Sequence, residues 1–173
     1  KTETHISYGA VSVSYAAVEL TERIFHDIST KDALLIGAGE TAELAAQQLR
    51  KHGIANLYIA NRTFEKAEAL CKKFNGVPLR MEEIPEKLPA IDVVITSISS
   101  DGYILNTEQI KKAMSKRFSK PLLIIDIGIP RNVNPDVGKI ENVFLEDIDS
   151  LNDVAKSNYE KRILEVPKVQ SII

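Results

Sequence analysis

One ten-residue stretch decides the fold: ALLIGAGETA, at residues 33–42. The apolar run at residues 33–36 stops at Gly37-Ala38-Gly39, and a helical pattern begins at Glu40. A strand that is buried on both faces of a parallel sheet has this continuous apolar character. The stretch therefore predicts a strand, a tight glycine turn and a helix in direct succession.

The spacing Gly37-x-Gly39-x-x-Ala42 is typical of a loop that binds the pyrophosphate of a dinucleotide. Gly37 permits the tight turn, Gly39 lets the backbone approach the phosphates, and Ala42 lets the helix pack closely on the strand. The first amides of the helix and its dipole then favour an anion. A turn with only a structural role is the alternative, but the strand–loop–helix context favours binding. The candidate cofactor-binding residues of this loop are Gly37, Ala38, Gly39, Glu40, Thr41 and Ala42.

Strands and helices alternate on both sides of this loop. We predict strands at residues 33–36, 57–60, 77–79, 91–96, 121–126 and 142–145, and helices at residues 40–52, 64–74 and 107–118. Thr63 is a residue type that can cap the helix at residues 64–74. Apolar strands separated by helices indicate a parallel sheet covered on both faces, and right-handed crossovers make it doubly wound. The predicted fold class is α/β, a Rossmann-type doubly wound parallel sheet.

Helices are also predicted at the two ends of the chain. The first, residues 7–28, carries two adjacent apolar stripes: Val13, Ala17, Leu20 and Ile24, and Val11, Tyr15, Val18 and Phe25. This arc is wider than that of a surface helix, so the helix is either wedged between layers or faces a missing partner. After Asp149, Leu151, Ala155 and Tyr159 are spaced as one face of a last amphipathic helix.

The end of the second strand indicates which dinucleotide is bound. An NAD site usually carries Asp or Glu about 20 residues after the glycine loop, for the ribose 2′-hydroxyl. This chain has Asn61-Arg62-Thr63 instead. Arg62 can pair with a 2′-phosphate, which an acidic residue would repel, while Asn61 and Thr63 can add neutral donors. We therefore predict NADPH, the alternative being a solvated Arg62 beside a capping Thr63.

The carboxyl ends of the later strands should complete the site, because ligands bind there in open α/β sheets. Ser97, Ile98 and Ser99 follow the fourth strand, and we expect Gly128, after the fifth, to leave room for a nicotinamide ring. An ordinary turn is an equally good explanation of residues 99–102. Asp126 and Arg131 are the only acid–base candidates at this edge, and neither is persuasive. We therefore predict no catalytic residue in this chain.

Composition excludes several other functions. Hydrophobic residues make up 44% of the 173, without an apolar run of the roughly 20 residues that cross a bilayer. The formal net charge is −2 and the basic residues are scattered, so we expect little contribution to nucleic-acid binding. The single Cys71 lies on the apolar face of a predicted helix and is a structural residue; no metal site is predicted. His52 should interact with a helix C-terminus, and Glu82-Glu83 and Lys111-Lys112 should be solvated.

Several segments together resemble one family, the glutamyl-tRNA reductases of tetrapyrrole (porphyrin and heme) biosynthesis. The resemblance is carried in chain order by Gly9-Ala10-Val11-Ser12-Val13-Ser14-Tyr15-Ala16-Ala17-Val18-Glu19-Leu20, Ile36-Gly37-Ala38-Gly39-Glu40-Thr41, Ala60-Asn61-Arg62-Thr63, Asp126-Ile127-Gly128-Ile129-Pro130-Arg131 with Asn134-Pro135, and Asp147-Ile148-Asp149. Many members have Gly where this chain has Ala42, a substitution that we expect to be tolerated.

The resemblance implies a cytoplasmic oxidoreductase that uses NADPH to reduce glutamyl-tRNA to glutamate 1-semialdehyde through a cysteine thioester. Residues 1–29 would be the connecting helix from a missing N-terminal domain that holds the nucleophilic cysteine. Residues 30–149 would be the NADPH-binding domain, and residues 150–173 the start of a helical dimerisation region. The first residue is not Met, so we expect a processed product or a piece of a longer protein, inactive alone. The implied partners are glutamyl-tRNA held by the absent domains, a second copy in a homodimer, and glutamate-1-semialdehyde aminotransferase, without a membrane.

Two other functions remain open from the sequence. A reductase of the shikimate dehydrogenase type also carries a glycine loop followed by Asn-Arg-Thr. The Val-Ser-Val-Ser-Tyr segment at residues 11–15 and the Ile-Pro-Arg segment at residues 129–131 argue against it. The other is a nucleotide-sensing domain without turnover.

Overall fold

A computed structural model describes residues 2–154 and 156, with side chains from residue 9 onward. Its centre is one parallel sheet of six strands in the order β3-β2-β1-β4-β5-β6. This order is that of a doubly wound dinucleotide-binding sheet, with its switch point between β1 and β4. The predicted fold class is therefore confirmed. The strands are β1 Asp32–Ile36, β2 Asn56–Ala60, β3 Val77–Leu79, β4 Val93–Thr96, β5 Leu122–Asp126 and β6 Val143–Asp147.

Helices cover both faces of the sheet: α1 Thr2–Phe25, α2 Glu40–Lys51, α3 Phe64–Phe74, α4 Ile84–Lys87 and α5 Thr107–Met114. One apolar core joins α1, α2 and α3 to one face, and a second joins α4 and α5 to the other. The central strands β1, β4 and β5 are buried because both of their faces are covered. The edge strands β3 and β6 leave Val77 and Phe144 exposed.

The first helix belongs to the core of the sheet. Val13, Ala16 and Ala17 are buried against α2 and the strands, and Val18 of the second stripe is buried with them. Val11 and Tyr15 of that stripe are exposed, so the stripe is exposed at its beginning and buried at Val18. The helix ends at Phe25 rather than Ile28, because His26 has a φ of 61° and residues 28–30 form a separate 3-10 turn.

Other boundaries differ from the sequence prediction for local reasons. The helix predicted to reach Phe118 ends at Met114, and left-handed backbone at Phe118 and Ser119 turns the chain towards β5. Thr63 occupies the cap position of α3, but its side chain makes no capping hydrogen bond. The residues between β3 and β4 form short helical turns that were not predicted.

The remaining boundaries shift by a few residues. β4 and β5 begin later than predicted, at Val93 and Leu122, and β6 runs on to Asp147. Residues 148–154 are helical, and Leu151 is buried as predicted. Ala155 and Tyr159, the other two residues of the predicted last face, lie outside the residues whose side chains are described.

Candidate cofactor-binding site

Gly37 makes the turn from β1 towards α2. Its φ is 132°, a left-handed value that side chains rarely adopt. A Cβ atom here would lie 2.8 Å from Ser97 Oγ and 3.1 Å from Ser97 O. The turn therefore packs directly against the loop that follows β4, which brings two predicted parts of the site together.

Gly39 leaves the N-terminus of α2 open. It is the N-cap residue, no side chain caps the helix there, and no atom lies within 4 Å of where its Cβ would be. The first amides of a helix have no partner inside the helix, and the dipole makes this end positive. An open, uncapped start of a 12-residue helix is thus a suitable binding position for a phosphate.

Of the remaining loop residues, Ala42 is fixed by packing and Glu40 is exposed. Ala42 is 2% exposed and contributes to the core with Ala45 and Ala46, which is the close helix–strand contact that needs a small side chain. Glu43, one residue further, forms an ion pair with Lys73 of α3, which neutralises its charge. Glu40 is exposed at the start of the helix and places a negative charge near the open amides.

Arg62 reaches from the loop after β2 to the loop after β4; we call the space that these two loops and the glycine loop border the cofactor cleft. Its guanidinium Nη1 donates a hydrogen bond of 2.9 Å to the carbonyl oxygen of Ser99. Arg62 follows β2 and Ser99 follows β4, the two neighbours of β1, so the side chain crosses over the end of β1. Asn61 Nδ2 donates to Thr63 O at 3.1 Å, which holds the segment after β2 in a turn.

Sequence reasoning missed a buried hydrogen-bond network behind the loop that follows β4, here called the β4 loop. We call this network, formed by Asp126 at the end of β5 and by Gly128 and Asn132 of the loop after β5 with Ile98, the hub. Asn132, fully buried, accepts a hydrogen bond from Ile98 N (3.1 Å) at Oδ1 and donates one to Ile98 O (2.8 Å) from Nδ2. These two bonds fix the β4 loop to the loop after β5. A buried amide making paired bonds to one backbone residue positions that residue strongly.

Gly128 packs directly against the side chain of Asn132. A Cβ atom on it would lie 2.2 Å from Asn132 Oδ1 and 2.3 Å from Asn132 Cγ. The Asn132 amide fills the space on the Cβ side of Gly128, and the expectation that Gly128 leaves room for a nicotinamide ring stays a prediction. The glycine is needed for the hub.

Asp126 anchors the same hub and is not placed as an acid or base. It is 2% exposed and accepts hydrogen bonds from the Thr96 hydroxyl and from the backbone N–H groups of Gly128, Asn132 and Val133, at 2.9–3.0 Å. Both carboxyl oxygens are therefore occupied by protein donors.

Arg131 faces away from this hub, towards β6. Its guanidinium lies 3.2 Å from Asp147 and 3.0 Å from Asp149, which links the β5 loop to the start of the last helical segment. The backbone N–H of Ser150 lowers the pKa of the Asp147 carboxyl, and Arg131 adds to that lowering. The Nη2 of Arg131 is therefore held in two ion pairs, whereas its buried Nη1 has no hydrogen-bond partner among the described residues.

Cys71 and His52, two residue types that often act in catalysis, have structural roles here. Cys71 is buried on α3, and this burial raises the pKa of its thiol to about 11, so it is a poor nucleophile. His52 Nδ1 lies 2.8 Å from Glu22 Oε1 and the residue caps α2, as its position before Gly53 predicted. Among the described residues, no group of three or more His, Cys, Asp or Glu could hold a metal ion. No helix in the same part of the chain is long and apolar enough to cross a membrane.

The strand order, the open glycine loop at the switch point and the uncapped α2 define a dinucleotide-binding domain of Rossmann type. The family model for shikimate / quinate 5-dehydrogenase matches residues 19–154, and the chain belongs to this family. Within that class its similarity is to glutamyl-tRNA reductases, which confirms the resemblance seen in the sequence. Glutamyl-tRNA reductase of Chloroherpeton thalassium is 49% identical over 174 residues, covering 100% of this chain and 40% of that protein.

Solved structures agree with this similarity. Glutamyl-tRNA reductase from Methanopyrus kandleri superposes with a TM-score of 0.87 at 36% identity, covering 93% of this chain and 41% of that one. The nucleotide-binding domain of glutamyl-tRNA reductase from Thermoplasma volcanium has a TM-score of 0.68 at 20% identity and shares the fold, covering 87% of this chain and 95% of that one. The chain thus spans about two-fifths of the length of its curated relatives.

Proposed function

We propose that this chain is the NADPH-binding domain of a glutamyl-tRNA reductase, an oxidoreductase of tetrapyrrole biosynthesis. The observation that carries the proposal is the open, uncapped start of α2 beside a glycine turn, with Arg62 reaching over the end of β1. Similarity along the whole chain to proteins of that name supports it.

The described residues offer a candidate binding group for each part of NADPH. Gly39 and the amides of Glu40, Thr41 and Ala42 would hold the pyrophosphate, and Arg62 with Asn61 and Thr63 would hold the 2′-phosphate. Ser97, Ile98 and Ser99, which the Asn132 hub fixes in place, would border the nicotinamide half. When bound, NADPH supplies the hydride that reduces an enzyme-bound glutamyl thioester to glutamate 1-semialdehyde.

The chain's own contribution is to bind and orient. Asp126 and Arg131 have protein partners, and Cys71 is buried with a raised pKa, so none of these three supplies the nucleophile. We place that nucleophile, a cysteine, in a preceding domain, and take residues 1–29 as the connecting helix, 30–149 as the NADPH domain and 150–173 as the start of a dimerisation helix. Glutamyl-tRNA, a second copy and glutamate-1-semialdehyde aminotransferase are the proposed partners, in the cytoplasm.

Activity of the complete protein tests this function. We expect NADPH-dependent formation of glutamate 1-semialdehyde from glutamyl-tRNA by the full-length enzyme, and none by the 173-residue chain alone. The family model makes shikimate oxidation the second candidate. Turnover of shikimate with none of glutamyl-tRNA would reverse the choice, and reductase activity of the 173-residue chain would mean that a catalytic group lies within it.

Arg62→Ala should weaken NADPH binding by roughly 1.5–3 kcal/mol, the range for hydrogen bonds to charged groups. The binding of NADH, which lacks the 2′-phosphate, should be weakened much less by this substitution. The hydrogen bond from Arg62 to Ser99 O exists without cofactor, so its replacement on binding favours the lower half of this range. Isothermal titration calorimetry measures both cofactors.

Lys72→Ala is the matched control for Arg62→Ala, because Lys72 is an exposed cation in the last turn of α3, at the end of the helix away from Arg62. We expect unchanged affinity for both cofactors. If Arg62→Ala weakened NADPH and NADH equally, Arg62 would not read the 2′-phosphate.

A further inference from the structure

A basic surface lies on the segment from α5 to the start of β5. Its four lysines, Lys111, Lys112, Lys116 and Lys120, are all exposed, and no acidic residue occurs from Gln109 to Ile125. The overall charge of −2 conceals this concentration, which is why composition alone predicted little contribution to nucleic-acid binding. We call these four lysines together with Phe118 the α5 surface.

The aromatic member of the α5 surface is held out in solvent. Phe118 is 90% exposed, more than the other large apolar side chains of the described residues, of which Ile129 is next at 72%. Its φ is 52° and that of Ser119 is 67°, so two consecutive residues have a left-handed backbone that is uncommon for side-chain-bearing residues. The conformation directs the chain away from the core at this point.

Arg117 makes this exposed turn rigid. Its side chain is 1% exposed, pairs with Asp92 at 3.0 Å, and donates to the carbonyls of Pro89, Ile91 and Pro121. Asp92 thereby neutralises the charge of Arg117. The bond from the Arg117 guanidinium to the Pro121 carbonyl holds together the two ends of the turn that carries Phe118. An aromatic ring on a fixed turn loses little conformational freedom when it binds a partner.

Two acidic residues, Glu141 and Glu108, border this surface. Glu141 lies with Lys111, Ser115 and Ser119 around a shallow depression at the end of α5, and Glu108 is exposed one turn earlier. The lysines at positions 112, 116 and 120 lie outside that lining. Lys116 and Lys120 stand two residues before and after Phe118 in the chain, and all three side chains are exposed.

We propose that the α5 surface binds RNA, with the four lysines on backbone phosphates and Phe118 stacked on an unpaired base. Lysines neutralise phosphates and release counterions, and stacking on an aromatic ring tolerates any base sequence. An acidic protein surface would use the lysines and would leave the exposed ring without a specific role. That the RNA is the tRNA substrate rests on the proposed function above.

The α5 surface lies away from the glycine loop. Lys116, Phe118 and Lys120 precede β5 and so lie near the amino ends of the strands, whereas the loop and Arg62 lie at the carboxyl ends. RNA bound there leaves the cofactor cleft open. RNA and NADPH binding should therefore be separable by mutation.

Fluorescence anisotropy with labelled, uncharged glutamate tRNA tests the proposal, using the 173-residue chain at 50 and 200 mM salt. For Lys112→Ser/Lys116→Ser, the slope of log affinity against log salt should become shallower by about two units, one for each lost phosphate contact. Phe118→Ala should weaken binding about tenfold, within the range for loss of one stacked base. Lys112, Lys116 and Phe118 are all exposed, so neither variant should change the thermal unfolding temperature.

The control variant is Lys51→Ser/Lys72→Ser, which removes the same charge from exposed ends of α2 and α3 on the other face of the sheet. Its tRNA binding should match that of the unmodified chain. An equal loss in this control, unchanged binding in the α5 variants, or equally tight binding of polyglutamate in competition would overturn the proposal. NADPH titration separates the RNA-binding proposal from the proposed function. NADPH binding without tRNA binding refutes only RNA binding by the α5 surface, and tRNA binding without NADPH binding refutes only the proposed function.

Discussion

Gly128→Ala should lower the free energy of unfolding by about 3 kcal/mol or more, since overpacking alone costs up to that amount. The new Cβ would lie 2.2 Å from Asn132 Oδ1 and 2.6 Å from Nδ2, inside a fully buried site. The Asn132 amide would have to move and give up both bonds to Ile98, leaving buried polar groups without partners. Urea denaturation followed by circular dichroism measures the loss.

Two variants make this test specific. Gly102→Ala is the matched control, because no atom lies within 4 Å of its Cβ position, and it should change stability by less than about 0.5 kcal/mol. Combining Gly128→Ala with Asn132→Ala removes the side chain that clashes. The double variant should be scarcely less stable than Asn132→Ala alone, whereas additive losses would show that the clash is elsewhere.

Asp126→Asn should destabilise the chain by about 2–5 kcal/mol, because an amide NH₂ replaces one acceptor and leaves one or two buried donors unpaired. The carboxylate accepts from Thr96 Oγ1, Gly128 N, Asn132 N and Val133 N, and it is 2% exposed. No rotation of an asparagine side chain can offer acceptors to all four donors. Thermal and urea unfolding both measure the effect.

Asp153→Asn is the control for this change of charge, since Asp153 is exposed in the last helical segment. It should be neutral within about 0.5 kcal/mol. Equal stability of Asp126→Asn and the unmodified chain would contradict the hub, and would return Asp126 to the set of residues available for proton transfer.

These two effects matter for function because the hub supports the cofactor edge. Asn132 fixes Ile98, and the adjacent Ser97 and Ser99 contact Gly37 and Arg62 respectively. A change at Gly128 therefore reaches both sides of the cleft through the bonds between Asn132 and Ile98.

The glycine loop and helix α3 could be predicted because their causes are local. Gly37 and Gly39 lie between an apolar run and a helical pattern, and α3 begins and ends where the sequence predicts, with Asn75 in the left-handed conformation that ends helices. In such segments the neighbouring residues alone determine the backbone.

The hub could not be predicted because its partners are distant in sequence. Asn132 and Ile98 are 34 residues apart, and nothing in either local sequence indicates the pairing. The only available signal was Asp126, a charged residue that ends a fully apolar strand and therefore needs buried partners. From the sequence it was only an unpersuasive acid–base candidate, whereas in the structure its carboxylate holds four hydrogen-bond donors in place.

The early end of α5 has a similar origin. Phe118 continues the apolar pattern of that helix, but Arg117 is drawn inward by Asp92 and by carbonyls from the segment before β4. A tertiary contact thus overrides the helical pattern. It also produces the exposed ring of the α5 surface, which composition could not reveal.

Calorimetric titration of the 173-residue chain with NADPH and with NADH tests the central claim most directly. The open start of α2 predicts that both cofactors bind, and Arg62 without an acidic neighbour predicts that NADPH binds more tightly by about 1.5 kcal/mol or more. Tighter binding of NADH, or no binding of either cofactor, would contradict the assignment of this chain as an NADPH-binding domain.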